Sequence, residues 1–228
     1  MQKLRVRFAK RGRLRFASHR DFQRSFERAL RRAHVPMAYS HGFTPHPKIS
    51  FAGAAPTGAA SEAEYLEISL TEQRRPEDVR AALDAALPPG LDIVAVAEVA
   101  STGGAALADE LAASVWLIEL PDVDPAVARA AVEALVAAPT VEVERRTKKG
   151  VRTIDTRGAV LRAEFDESGP VPAVRCVLEH QTPTVRPEEV LAGLRVVAGF
   201  EPSAPPRSTR LAQGAWDDDR GELVPLTW

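Results

Sequence analysis

At 228 residues the chain is long for one compact domain and suits two small ones. A hydrophobic content of 45% excludes gross disorder, and the lack of any apolar run of about 18 residues predicts no membrane span. The net charge of −1 conceals a division: residues 1–50 carry 13 Lys and Arg against two acids, or +11, while the other 178 residues carry −12.

Leu4-Arg5-Val6-Arg7-Phe8 alternates apolar and basic residues, the period-2 pattern of a strand with one charged face. Leu14-Arg15-Phe16 resumes that alternation after a Lys10-Arg11-Gly12 turn. Ser18-His19-Arg20-Asp21 reads as a capping box, with Ser18 as N-cap. The helix that follows turns Phe22, Phe26, Ala29, Leu30 and Ala33 to one side and leaves Arg24, Arg28, Arg31 and Arg32 on the other, until Pro36 closes it. Strand and helix arginines are thereby expected to meet on one exposed surface.

Residues 39–60 are polar, rich in Gly and Pro, and irregular around a short strand at 48–52. A strand at 64–70, a helix at 76–87 with Pro76 in its first turn, and a strand at 91–99 complete a β-α-β-β-α-β order. That order predicts an α+β, ferredoxin-like sandwich over residues 1–100. Ser101-Thr102-Gly103-Gly104 opens a linker placed at 101–113.

Residues 114–228 repeat the theme. A strand at 115–120 precedes a helix capped by Asp124 and running to about Ala137. A hairpin at 141–146 and 151–156 follows, then strands at 160–165 and 174–178, and a helix at 187–198. The tail from Phe200 reads as loop-rich, with Trp216 and Trp228 as anchors. The expected architecture is therefore a duplicated ferredoxin-like fold with extra strands in its second half.

The charge division points to a polyanionic partner, because a basic face on an acidic body focuses its field and releases counterions from phosphates. Four of the five histidines share the basic segment. The loop Tyr39-Ser40-His41-Gly42-Phe43-Thr44-Pro45-His46-Pro47-Lys48 adds hydroxyls, imidazoles, a lysine and stackable aromatics. Arg5, Arg7, Arg13, Arg15, Arg24, Arg28, Arg31 and Lys48 are the candidate phosphate contacts. Ser40, His41, Gly42, Phe43 and His46 are the candidates for contact with a base or sugar. A second basic stretch at 145–162 offers Lys148, Lys149 and Arg152 as an extension of the track.

Other chemistries find less in the sequence. His19 and His46 are candidate general bases for metal-free RNA cleavage. His41 and His46 match no zinc-ligand spacing, and no metal site is expected. Walker, GxGxxG and Gly-x-Ser-x-Gly motifs are missing, as is a cysteine triplet for an iron–sulfur cluster. The lone Cys176 predicts a reducing, cytoplasmic setting. No apolar segment follows the basic N-terminus, so no secretory signal is expected.

Three motifs carry a family resemblance. They are Leu14-Arg15-Phe16-x-Ser18-His19-x-Asp21, the 39–51 loop through Ser50-Phe51, and Gly58-x-x-Ser61-Glu62-x-Glu64-Tyr65-Leu66. With the hairpin at 146–157, including Lys149, Ile154 and Asp155, they resemble the DUF2344 family, also called radical-SAM-linked proteins. The resemblance implies a cobalamin-binding radical SAM protein as partner. S-adenosylmethionine, the iron–sulfur cluster and cobalamin would belong to that partner, with no cofactor in this chain. More loosely, the first half is similar to Cas6-like RNA-binding folds, a likeness of fold alone. The expected function is an RNA-binding accessory protein that presents tRNA or rRNA to the radical SAM partner. The alternatives are a metal-independent endoribonuclease, or a protein-interaction adaptor without RNA.

Overall fold

The computed structural model describes residues 1–100, 106–148 and 150–226 of an α+β chain. Ser101 to Gly104 of the expected linker, Lys149 and Trp228 lie outside the described residues. The chain divides into two compact units: Met1–Leu111 together with Leu226, and Ala112–Pro225.

The first unit runs β1 (Gln2–Lys10), α1 (His19–Arg32), β2 (Ile49–Ala52), β3 (Ala60–Leu70), α2 (Pro76–Ala86), β4 (Leu91–Val99) and the helical turn α3 (Leu107–Glu110). Its strands pair antiparallel in the order β4-β1-β3-β2. In the β1–β3 register Leu4 sits beside Ile68, Val6 beside Leu66 and Arg5 beside Glu67, so the two strands keep their apolar and charged faces aligned. α1 and α2 cover the apolar face. Phe22, Phe26 and Leu30 of α1, with Val79 and Leu83 of α2, join Leu4, Val6, Phe8 and Ile93 in one core. Phe8 and Phe22 stack at 4.4 Å. Phe26 is fully buried, and its truncation to Ala costs roughly 3–5 kcal/mol by the usual cavity arithmetic.

Capping fixes α1 at both ends. The Ser18 hydroxyl accepts the Asp21 N–H at 3.2 Å and donates to the Asp21 carboxylate at 2.6 Å. At the other end His34 adopts the left-handed conformation (φ +51°), and the Val35 N–H reaches back to the Leu30 carbonyl.

Three readings of the sequence change here. Residues 12–16 form a 3₁₀ turn rather than a second strand segment; three alternating residues are too few to separate the two. Part of the region read as linker belongs to the first unit, because Leu107 and Leu111 are buried against Ala63 and Tyr65. The third concerns the strand arginines. Both helices lie on the Leu4–Val6–Phe8 face, so alternation sends Arg5 and Arg7 to the opposite side of the sheet from α1. They share no surface with the helix arginines.

The second unit contains β5 (Ala113–Glu119), α4 (Pro125–Ala137), β6 (Glu142–Thr147), β7 (Gly150–Asp155), β8 (Val160–Asp166), β9 (Ala173–Glu179), α5 (Pro187–Ala198), β10 (Arg207–Asp217) and β11 (Glu222–Pro225). The order β10-β5-β9-β8 is antiparallel throughout. β6 and β7 form a separate hairpin, and β11 pairs with β10. The tail read as loop-rich thus supplies an eleven-residue strand, β10. Gly214 is required there: a Cβ would lie 2.0 Å from the Val224 carbonyl oxygen. Cys176 is buried in β9, and burial pushes its thiol up to about 12.

Candidate functional site

The cations of the basic segment fall into two populations. Those of β1 and the turn after it are engaged by the fold. Arg5, 5% exposed, donates to Glu67 (2.9 and 3.1 Å) and to Glu110 (2.5 and 2.9 Å). Lys3 pairs with Glu67, and Arg11 with Glu62 and Asp92. Arg7 donates to the Glu62 carbonyl at 3.0 Å. Buried Lys10 donates to the Ala55 and Pro56 carbonyls. Arg5 is a structural cation rather than a phosphate contact, and Arg7 is half-buried and already hydrogen-bonded.

The α1 cations are different. Arg20, Arg24, Arg28, Arg31 and Arg32 are exposed, and among the described residues none forms an ion pair. Arg28 donates to Ser25 Oγ at 3.0 Å, and Arg32 to the Ala86 carbonyl at 3.2 Å. Spacings of three and four residues place Arg20, Arg24, Arg28 and Arg31 along one exposed stripe. The sequence reading omitted Arg20, assigning it to the cap, although its i, i+4 relation to Arg24 was legible. Just before α1, Arg13 is exposed and the Arg15 guanidinium lies 4.6 Å over the ring of Phe16, itself 59% exposed.

The 39–47 loop closes on a stem. Tyr39 bridges to Pro47, the Ser40 N–H donates to the His46 carbonyl at 2.8 Å, and the His46 N–H donates to Ser40 Oγ at 3.0 Å. Below it the Lys48 N–H donates to the Ala38 carbonyl, and the Ala38 N–H donates to that of Ser69, tying the stem to β3. His41, Gly42 and Phe43 form the tip. Gly42 takes φ +130°, which favours glycine. The Phe43 ring is fully exposed. Phe51 instead packs inward, 5.7 Å from Phe22 and 5.0 Å from His19. Loop and helix come together: Arg31 and His46 line the same groove. Lys48 is half-buried beside the stem.

A family model for DUF2344, described as an uncharacterized protein conserved in bacteria, matches residues 3–187. The chain belongs to this family. The DUF2344 match runs from Lys3 in β1 through α3 and ends at the start of α5, so β10 and β11 lie beyond it. A search of curated proteins found no match.

The motif residues of this DUF2344 chain also meet in a second place. His19, Phe51, Glu64 and Tyr65 line a cleft of about 20 Å³ with Lys10 and Ser18, room for little more than a water molecule. Glu64 accepts the Ala55 N–H at 3.0 Å while Lys10 holds the neighbouring carbonyls, so these two groups fix the 53–58 loop. His19 sits exposed at the rim and His46 at the loop stem.

The second basic stretch is partly consumed as well. Arg145 pairs with Glu189 and donates to the Thr184 carbonyl. Arg157 donates to the Val136 and Val160 carbonyls, and Arg162 pairs with Glu164. Arg146, Lys148 and Arg152 on the β6–β7 hairpin are exposed.

Proposed function

We propose that this protein binds RNA through the arginine stripe of α1 and the adjoining 39–48 loop. In this reading it presents the RNA to a cobalamin-dependent radical SAM partner for modification. The observation that carries the RNA reading is the separation of the two cation populations: β1 cations are consumed by carboxylates and carbonyls, while among the described residues the α1 stripe forms no ion pair and lies beside an exposed aromatic loop tip. Its only nearby helix acid at the N-terminal end is the exposed Asp21. Unpaired arginines are suited to phosphates, and a solvent-facing Phe43 to a base. Arg13, Arg15, Arg24, Arg28, Arg31 and Lys48 are the phosphate contacts. Ser40, His41, Gly42, Phe43 and His46 meet a base or sugar, and Lys148, Lys149 and Arg152 are read as separate RNA contacts of the second unit. The partner and its cofactors are drawn from the family resemblance. Each unit is read as a ferredoxin-like sandwich, a duplication supported by the matching strand orders β4-β1-β3-β2 and β10-β5-β9-β8.

The test is binding of labelled tRNA and rRNA fragments to wild type and to Arg24→Glu/Arg28→Glu. Micromolar or tighter binding, lost on charge reversal, is expected. No binding near physiological salt would overturn the RNA reading and leave the stripe as a docking face for an acidic protein.

A further inference from the structure

Beside α1 lies a groove that the sequence reading did not isolate. One wall is the helix flank of Glu27, Leu30 and Arg31, and the other is the loop stem with Tyr39, His46 and Pro47. Its volume is about 180 Å³. Drug-sized ligands occupy pockets of about 300–1,000 Å³, so this groove is scaled to a smaller molecule.

Its chemistry is selective. Tyr39 is 49% exposed and offers a ring face for stacking. Glu27 is the odd residue: an acid in the middle of a stripe of arginines suited to phosphates. The other acid of α1, Asp21, is engaged by the Ser18 cap. Glu27 Oε1 accepts from Gln23 Nε2 at 3.1 Å, which steadies the carboxylate at the groove. Among the described residues it forms no ion pair with Arg31, although the two stand at i and i+4 on the groove wall. A carboxylate accepts hydrogen bonds and cannot donate. Of the four RNA bases, guanine alone presents two adjacent N–H donors, N1–H and the N2 amino group, matched to the two oxygens of a carboxylate. Adenine and cytosine offer one amino group on that edge, and uracil one imino N–H.

We propose that this groove receives one unpaired guanine of the bound RNA, stacked on Tyr39 and read at N1 and N2 by Glu27. Arg31 and His46 meet the phosphate or sugar of the same nucleotide. This assignment rests on the RNA reading given above and adds a base preference to it. A carboxylate in a phosphate-binding stripe weakens general RNA affinity, and a base contact gives that cost a purpose.

The probe is a set of single-stranded uridine oligonucleotides with one central guanosine, inosine, adenosine or cytidine, measured by fluorescence anisotropy over a salt series. Wild type is expected to prefer guanosine over adenosine and cytidine by about tenfold or more. Inosine, which keeps N1–H but lacks the N2 amino group, falls between. Glu27→Gln removes the preference and keeps the salt slope; Tyr39→Ala weakens all four alike. If wild type binds guanosine no tighter than adenosine, or Glu27→Gln keeps the preference, the guanine assignment is overturned while salt-dependent RNA binding stands. Loss of salt-dependent binding to every oligonucleotide by wild type overturns both readings.

Discussion

Replacing Arg5 by Met tests whether the strand cations belong to the fold. Arg5 is 5% exposed, and its guanidinium makes four hydrogen bonds to two carboxylates. Removing one partner of a buried pair costs about 3–5 kcal/mol, because the other charge is left without compensation. Two features set this case near the lower limit. Lys3 stays on Glu67 at 2.5 Å, and the Glu110 side chain is 31% exposed and can regain water. The expected loss is therefore about 3 kcal/mol, a fall of about 10 °C in a melt followed by circular dichroism. The loss depends on pH with a definite sign. Arg5 holds the Glu110 carboxyl below its ordinary 4.5, first by hydrogen bonding and then by charge, against the opposing effect of burial. A depressed carboxyl contributes stability above its unfolded pKa and loses it as pH falls through the folded value. The gap between wild type and Arg5→Met should accordingly narrow as pH drops below about 4.5. A variant of unchanged melting temperature that binds RNA less tightly would refute the assignment, making Arg5 a surface contact.

Two further substitutions separate stability from binding. Ser18→Ala removes the N-cap of α1 and should cost about 1 kcal/mol in a urea melt. Part of that cost fades in acid, because the Ser18 hydroxyl also holds the Asp21 carboxyl below its ordinary value; a loss that grew in acid would contradict this capping role. Phe43→Ala should leave the melt unchanged, since the ring touches solvent only, and weaken RNA binding by about 1–3 kcal/mol in a titration. An unaltered affinity would remove the loop tip from the interface.

Much of the first unit was legible because its signals are local. Ser18, the Phe22–Phe26–Leu30 spacing and Pro36 bound α1 within a few residues. β10 was not legible: Arg207–Asp217 lacks a clean alternation, and its strand character comes from pairing with β5, some ninety residues away in sequence. The fate of Arg5 was hidden for the same reason. A charged strand face is the same in sequence whether it meets water or carboxylates, and its partners Glu67 and Glu110 stand 62 and 105 residues away. The helix stripe survived the transition from sequence to structure because i, i+4 geometry needs no distant partner. The Glu27–Tyr39 groove did not announce itself, since its walls come from a helix and a loop stem that the Tyr39–Pro47 bridge and the hydrogen bonds to Ala38 and Ser69 bring into position.

The most direct test of the α1 stripe is the salt dependence of RNA binding in wild type and Arg28→Ala, both checked for equal melting temperature. On a single-stranded RNA each phosphate contact contributes about 0.7 to the slope of log affinity against log salt. The account predicts weaker binding by Arg28→Ala and a slope shallower by about that amount. Equal affinity and equal slope in the two proteins would contradict it.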